Sequence, residues 1–378
     1  MHQDAYNAPM SWIVAEIEAR GGAVPFDEFM ELALYHPVHG YYSGEKPRYG
    51  RDGDFLTAPT SSAWYPRVLA RLFIALAGDL KPLRFVDAAS GDGSLIWELL
   101  KALGQGAGAT LAEVVSVERS AAMRSRQLEH LDGAPVPVRW VDDIAGVGAR
   151  SEPTVVHASE LFDAQPVVRV VGRGGGLREL WVHLTGEGLG WEERPARSKV
   201  AAYFARHGVH LVEGQLAEAN LGALALHRSL LGAAGTDGLA LVLDYGYEAR
   251  RLYDPRGRGG GSLATFRRHR VGRDPLESPG EVDLTAHVNW DDLRAAAAVE
   301  GWSEIGLWPL AEFLVRAGIG NELDARGLGM EAELDVATVT ARQEVKRLLD
   351  PDGMGSDLKV LVQAKGKTEE AARSVFSF

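Results

Sequence analysis

The side chains in this chain best placed to do chemistry are carboxylates at the ends of short apolar runs. Asp87 closes the run that holds Phe85 and Val86, and Glu118 follows Glu113–Val117. Asp142 and Asp143 follow Val136–Val141, and Glu160 stands just past Thr154–Ala158, with Asp163 shortly after. A carboxylate can receive a cationic amine, accept from both hydroxyls of a diol, or take a proton from a nitrogen. Behind Asp87 the chain reads Ala88-Ala89-Ser90-Gly91-Asp92-Gly93 before a helical run opens at Ser94. An acid, a glycine turn and a helix start together let a ligand approach backbone N–H groups.

Dinucleotide binding requires a third glycine three positions after Gly93, and that position is Ile96. The chain also has no G-x-x-x-x-G-K-[ST] loop for a nucleoside triphosphate. The pattern suits an adenosyl cofactor with an amino-acid tail, S-adenosyl-L-methionine. Asp87 would receive the amine, Gly91 and Gly93 would make room, and Glu118 would accept from the ribose diol. Asp142 or Asp143 would accept from the adenine amino group, with Ile144 against the ring. Methyl transfer from a sulfonium depends on in-line placement and a dry pocket. A nitrogen acceptor must also lose a proton, and Glu160 and Asp163 of Ser159-Glu160-Leu161-Phe162-Asp163 are the candidate catalytic residues. Two such acids suit a guanidinium fork.

The carboxylates need elements that bring them together. Strands are expected at Leu83–Asp87, Glu113–Val117, Val136–Val141, Thr154–Ala158, Gly238–Leu243, Trp302–Leu307 and Leu358–Ala364, alternating with helices such as Ser94–Leu103 and Ser120–Leu131. That predicts an α/β fold, a parallel, doubly wound, Rossmann-like sheet of seven strands, with ligands beyond the strands' carboxyl ends. Residues 1–80 would supply N-terminal helices (Trp12–Arg20, Phe26–Tyr35 and Ala63–Ala77) and a covering loop. Residues 81–365 would form the main domain, with insertions at about 165–195 and 248–285. Residues 366–378 would be a mobile tail. In the first insertion Val167–Val171 and Leu177–Leu184 flank a glycine turn as a β-hairpin, and Gln215–Leu231 is expected to be helical.

Composition excludes several classes. With no cysteine, disulfides, thiolate metal sites and cysteine nucleophiles are ruled out. His36 and His39 with Asp54 could ligate a metal, but His36 precedes a proline and its spacing carries no helical geometry, so no metal is expected. There is no G-x-S-x-G elbow for a hydrolase. The net charge of −12 argues against nucleic acid, although Arg267-Arg268-His269-Arg270 is a local basic run that either binds phosphate or forms a solvated face. No long apolar span and no basic-then-apolar start are seen, so no membrane insertion and a cytoplasmic location are expected.

Several segments then point to one family. ELALYHPVHGYYS, GRDGDFLTAP, SELFDAQPV, LVLDYGY, DPLESPGEVDLTAHV (Asp274–Val288) and MGSDLKVLVQAKG resemble the MidA family of bacterial and mitochondrial methyltransferases, over about Phe26 to Lys365. The resemblance implies a class I methyltransferase fold and S-adenosylmethionine as cofactor. Its mitochondrial member methylates a protein arginine of a respiratory-complex subunit, so the implied partner is an arginine-bearing protein. It places Gly53, Asp54, Phe55 and Thr57 in a loop beside the cofactor. Asp244-Tyr245-Gly246 would lie close to the transfer site and His287 on the substrate face. A small-molecule O- or N-methyltransferase and a non-catalytic assembly protein keeping the fold are the alternatives. Three positions depart from the family pattern: Ala89 for the first glycine of E-x-G-x-G-x-G, Ser159 for asparagine and Thr60 for glutamate. Ala89 is expected to have negative φ, because its Cβ disfavours the left-handed region.

Overall fold

The computed structural model describes residues 11–43, 62–80, 82–267, 270–272, 274–329, 333 and 335–377. The chain divides into two compact units, each with its own apolar core. One comprises residues 56–161, 225–245 and 293–378; the other comprises 1–55, 162–224 and 246–292.

The first unit is built on the expected sheet. Its strands, labelled within the sheet in chain order, are β1 (Leu83–Ala88), β2 (Leu111–Val117), β3 (Val138–Val141), β4 (Thr154–Ser159), β5 (Gly238–Tyr247), β6 (Ser303–Pro309) and β7 (Leu358–Lys365). They lie in the order β3-β2-β1-β4-β5-β7-β6. β1 to β5 are parallel, so their carboxyl ends share one edge. β7 enters between β5 and β6 and runs antiparallel to both. The sheet is therefore mixed, where a parallel one was expected. The strands read as unbroken apolar runs because they are covered on both faces; all of β1, including Phe85 and Val86, is buried.

Helices Trp64–Leu80 and Ser94–Leu103 supply Leu69, Leu72, Phe73, Leu76, Ile96 and Leu99 to this core. The C-terminal segment is not a mobile tail. Lys367–Phe376 is a helix that buries Ala372 and Phe376 in the same core.

In the second unit, the hairpin Val168–Arg173 and Gly176–Thr185 continues into Gly188–Pro195. Ala23–Pro25 and Leu216–Ala219 extend that sheet to five strands. Gln215–Leu231 is thus not one helix. Its start pairs with Val168–Val171, and the helix begins only at Ala223. The insertion expected at about 248–285 holds the one-turn helices Ala249–Leu252 and Pro255–Arg258 and a three-stranded sheet of Ala264–Arg267, Arg270–Gly272 and Asp283–Thr285. Among the described residues no helix is long and apolar enough to cross a membrane.

Candidate active site

The carboxyl ends of β1 and β2 form the best-defined part of the site. Asp87 is buried at the end of β1. Behind it Ala89, Gly91 and Gly93 have φ of 60°, 58° and 80°. The turn therefore runs repeatedly through the left-handed region. The negative φ expected for Ala89 is not what forms; the residue takes the glycine conformation despite its Cβ. Gly93 cannot be replaced in the same way, since a Cβ there would stand 2.9 Å from Gln127 Cγ.

Glu118, just past β2, closes over this turn. Its Oε2 accepts from Gly91 N–H at 2.9 Å, and its Oε1 accepts from Ser120 N–H at 2.8 Å. Burial pushes this carboxyl up to about 7, against the pull of those two backbone bonds. A carboxylate offers about four acceptor positions, so two used by backbone leave two for a diol.

Past β3 the two acids separate in role. Asp142 pairs with Arg124, which also donates to Glu118 O at 2.7 Å. Asp143 caps the turn Ile144–Gly146, accepting from Gly146 N–H at 3.1 Å.

Glu160 stands directly after β4, the strand beside β1. Its N–H donates to Leu243 O of β5 at 2.8 Å, and its φ is 50°. A non-glycine residue held in the left-handed region costs on the order of 1–2 kcal/mol.

Three residues that sequence reasoning passed over tie these strand ends together. His157 of β4 is the cross-strand neighbour of Asp87 and bonds it, Nδ1 to Oδ1, at 2.8 Å. Its Nε2 meets the Tyr65 hydroxyl at 2.9 Å. Burial, with the charges of Asp87 and Glu160 adding, raises the Tyr65 phenol far above its ordinary value. Gln127, fully buried, accepts from Trp140 Nε1 at 2.9 Å and from the Ser116 hydroxyl, and donates to Gly91 O at 2.6 Å. The available signal was a polar residue set in an apolar context: His157 within Thr-Val-Val-His-Ala-Ser, and Gln127 one turn from Met123 on a buried helix face.

Asp163 belongs to the other unit, where it is buried and its carbonyl accepts from Ala286 N–H at 2.9 Å. His287, also there, takes Arg258 Nη1 on its Nδ1 at 2.9 Å; burial and that guanidinium push it down to about 4. Asp244, buried toward the carboxyl end of β5, directly follows the Leu243 whose carbonyl accepts from Glu160 N–H, and its Oδ1 accepts from Tyr245 N–H at 2.8 Å. His36 Nδ1 accepts from the N–H groups of Val38 and His39, and its ring packs against Trp12. Gly53, Asp54, Phe55, Thr57 and Thr60 lie outside the described residues, as do Arg268 and His269 of the basic run.

A buried carboxylate over a glycine turn, with a second at the neighbouring strand end, is a donor set fitted to an adenosyl group with an amino-acid tail, and comparison with known proteins agrees. Residues 68–307 match the family model for S-adenosyl-L-methionine-dependent methyltransferases. A crystal structure of a Burkholderia thailandensis protein bound to S-adenosyl-homocysteine superposes with a TM-score of 0.82 at 31% identity, covering 95% of this chain and 92% of that one. The mitochondrial protein arginine methyltransferase NDUFAF7 of Xenopus tropicalis is 28% identical, over 97% of this chain and 89% of its own length. That of Danio rerio is 28% identical over 80% and 75%. These relatives overturn the cytoplasmic expectation: they are mitochondrial proteins, and a location inferred from a missing signal had no physical basis of its own. The chain belongs to the MidA family of S-adenosylmethionine-dependent methyltransferases, and S-adenosylmethionine is its cofactor.

Proposed function

We propose that the methyl acceptor is an arginine guanidinium of a protein. The observation that carries this reading is Glu160: a carboxylate at the edge of the cofactor strands, on a backbone conformation that no glutamate adopts without support. The name carried by the relatives, protein arginine methyltransferase, supports it. Respiratory-complex subunits are the finer candidates and the first acceptors to assay.

When bound, the cofactor supplies an electrophilic methyl group on a sulfonium. Glu118 holds the ribose through its remaining acceptor positions and Asp87 pairs with the ammonium of the tail. Gly91 and Gly93 let the tail lie against the turn. Asp142 accepts from the adenine amino group while Asp143 shapes the turn that sets Ile144 against the ring. Glu160 accepts an N–H of the guanidinium, aims the nitrogen lone pair, and takes the proton that nitrogen loses as the new C–N bond forms.

The test is transfer of labelled methyl from S-adenosylmethionine to a mitochondrial lysate by the purified full chain, followed by acid hydrolysis and amino-acid analysis. Label in methylarginine is expected. Label confined to small molecules, or to lysine, overturns the reading.

A further inference from the structure

The mechanism above uses Asp87 but leaves unexplained why two further polar side chains are buried behind it. Asp87, His157 and Tyr65 are 3%, 0% and 0% exposed, and they form an unbroken line: carboxylate Oδ1, imidazole Nδ1 and Nε2, phenol hydroxyl, at 2.8 and 2.9 Å. The line has one proton arrangement while Asp87 is ionised and His157 is neutral. A carboxylate only accepts, so Nδ1 carries the hydrogen, Nε2 accepts, and the Tyr65 hydroxyl donates.

Each member is held from a separate element. Tyr65 lies on helix Trp64–Leu80, its ring 6.5 Å from that of Phe313, and it cannot swing away without opening the core. His157 is fixed by the β1–β4 register, which places it directly beside Asp87. Nothing in the packing of an apolar strand calls for this arrangement. A leucine at 157 and a phenylalanine at 65 would fill the space and bury no polar atoms.

We infer that His157, held in a single tautomer by Tyr65, is a positioning residue that locks the orientation of the Asp87 carboxylate toward the ammonium group of S-adenosylmethionine. The inference rests on the reading that Asp87 faces that ammonium, and the experiment separates the two. A carboxylate at a strand end has a broad terminal torsion. Tying one oxygen to His157 Nδ1 removes that freedom before the ligand arrives, so the loss of orientational entropy is not charged to binding. The expected consequence is selective: contacts to the adenosine half do not pass through this line, and contacts to the amino-acid tail do.

The test is calorimetric titration of the full chain with S-adenosyl-homocysteine and with 5′-methylthioadenosine, which keeps the adenosine and thioether but lacks the amino-acid tail. Asp87→Asn should weaken S-adenosyl-homocysteine and spare 5′-methylthioadenosine; failure of that result removes the reading of Asp87 itself. Given it, His157→Phe should weaken S-adenosyl-homocysteine about tenfold, the worth of one hydrogen bond to a charged group, and leave 5′-methylthioadenosine unchanged. His157→Asn, whose amide nitrogen stands near the place of Nδ1, should recover most of the loss. Tyr65→Phe removes a single oxygen from a packed ring and decides the matter if the His157 variants do not fold; a smaller loss with the same selectivity is expected. In turnover, His157→Phe should raise KM for S-adenosylmethionine while kcat holds. Equal weakening of both ligands, or no weakening of either by His157→Phe and Tyr65→Phe alike, overturns the inference.

Discussion

Ala89 and Glu160 occupy matching places on neighbouring strands. Each follows the carboxyl end of its strand, β1 and β4, and each is a non-glycine residue in the left-handed region, with φ of 60° and 50°. The steric cost is the same for both, but what it secures differs. Ala89 carries only an exposed methyl group. Its conformation is imposed by the glycine turn, which must bend there whatever side chain is present. Glu160 carries a carboxylate, and its conformation places that group while its N–H closes a bond to β5. Strain alone therefore does not mark a functional residue; strain that holds a reactive group does.

The largest effect should come from removing the charge at 160. Glu160→Gln keeps the shape and loses the proton acceptor. Methyl transfer should fall by about 10²–10⁴-fold, with S-adenosyl-homocysteine affinity unchanged by calorimetry. Retention of activity would reduce Glu160 to the same standing as Ala89.

Glu118 comes next, with an effect that depends on pH. Its folded carboxyl sits at about 7 because burial disfavours the charge. Hydroxyl donors from a ribose favour the ionised form, so ligand binding releases a proton below that value. Affinity for S-adenosyl-homocysteine should therefore rise with pH, by up to about tenfold per unit, and level off above about pH 7. Glu118→Gln should bind more weakly and lose this dependence. Titrations at pH 6, 7 and 8 check the sign; a flat wild-type profile would show that Glu118 does not meet the ribose.

The same contrast explains what could be read from the sequence. The sheet strands were legible because doubly covered strands are continuous apolar runs, and the acids at their ends were legible by position. His157, Tyr65 and Gln127 were not, because their meaning lies in the register between β1 and β4 and in helix packing, which periodicity does not encode. The helix Lys367–Phe376 looked like a polar tail because only a few of its residues, Ala372 and Phe376 among them, face the core. Leu216–Ala219 reads as helical when taken alone; pairing with Val168–Val171 overrides its local preference. The left-handed backbone at Glu160 had no signature at all, since nothing about a glutamate announces positive φ.

A finer comparison is between glycine substitutions at the two positions. Glu160→Gly should be as inactive as Glu160→Gln but more stable than it by about 0.5–1 kcal/mol, because glycine takes the left-handed region freely. Unfolding in urea measures the difference. If the two variants are equally stable, the strain at 160 is no larger than the about 0.5–1 kcal/mol that glycine loses through its freedom in the unfolded chain, and the case for Glu160 rests on its place in the sheet alone.

The smallest effect is the most diagnostic of the turn. Ala89→Gly removes an exposed methyl, so no packing is lost. It relieves about 1–2 kcal/mol of left-handed strain and gives back about 0.5–1 kcal/mol through the greater freedom of glycine in the unfolded chain. A net gain of about 0.5–1 kcal/mol is expected in urea, with methyl transfer retained. Cofactor affinity should hold as well, since the turn already follows a glycine path through Gly91 and Gly93. A loss of stability would mean that the methyl group makes a contact worth more than the strain it imposes, and Ala89 would then join Glu160 as a residue whose conformation is held for its side chain.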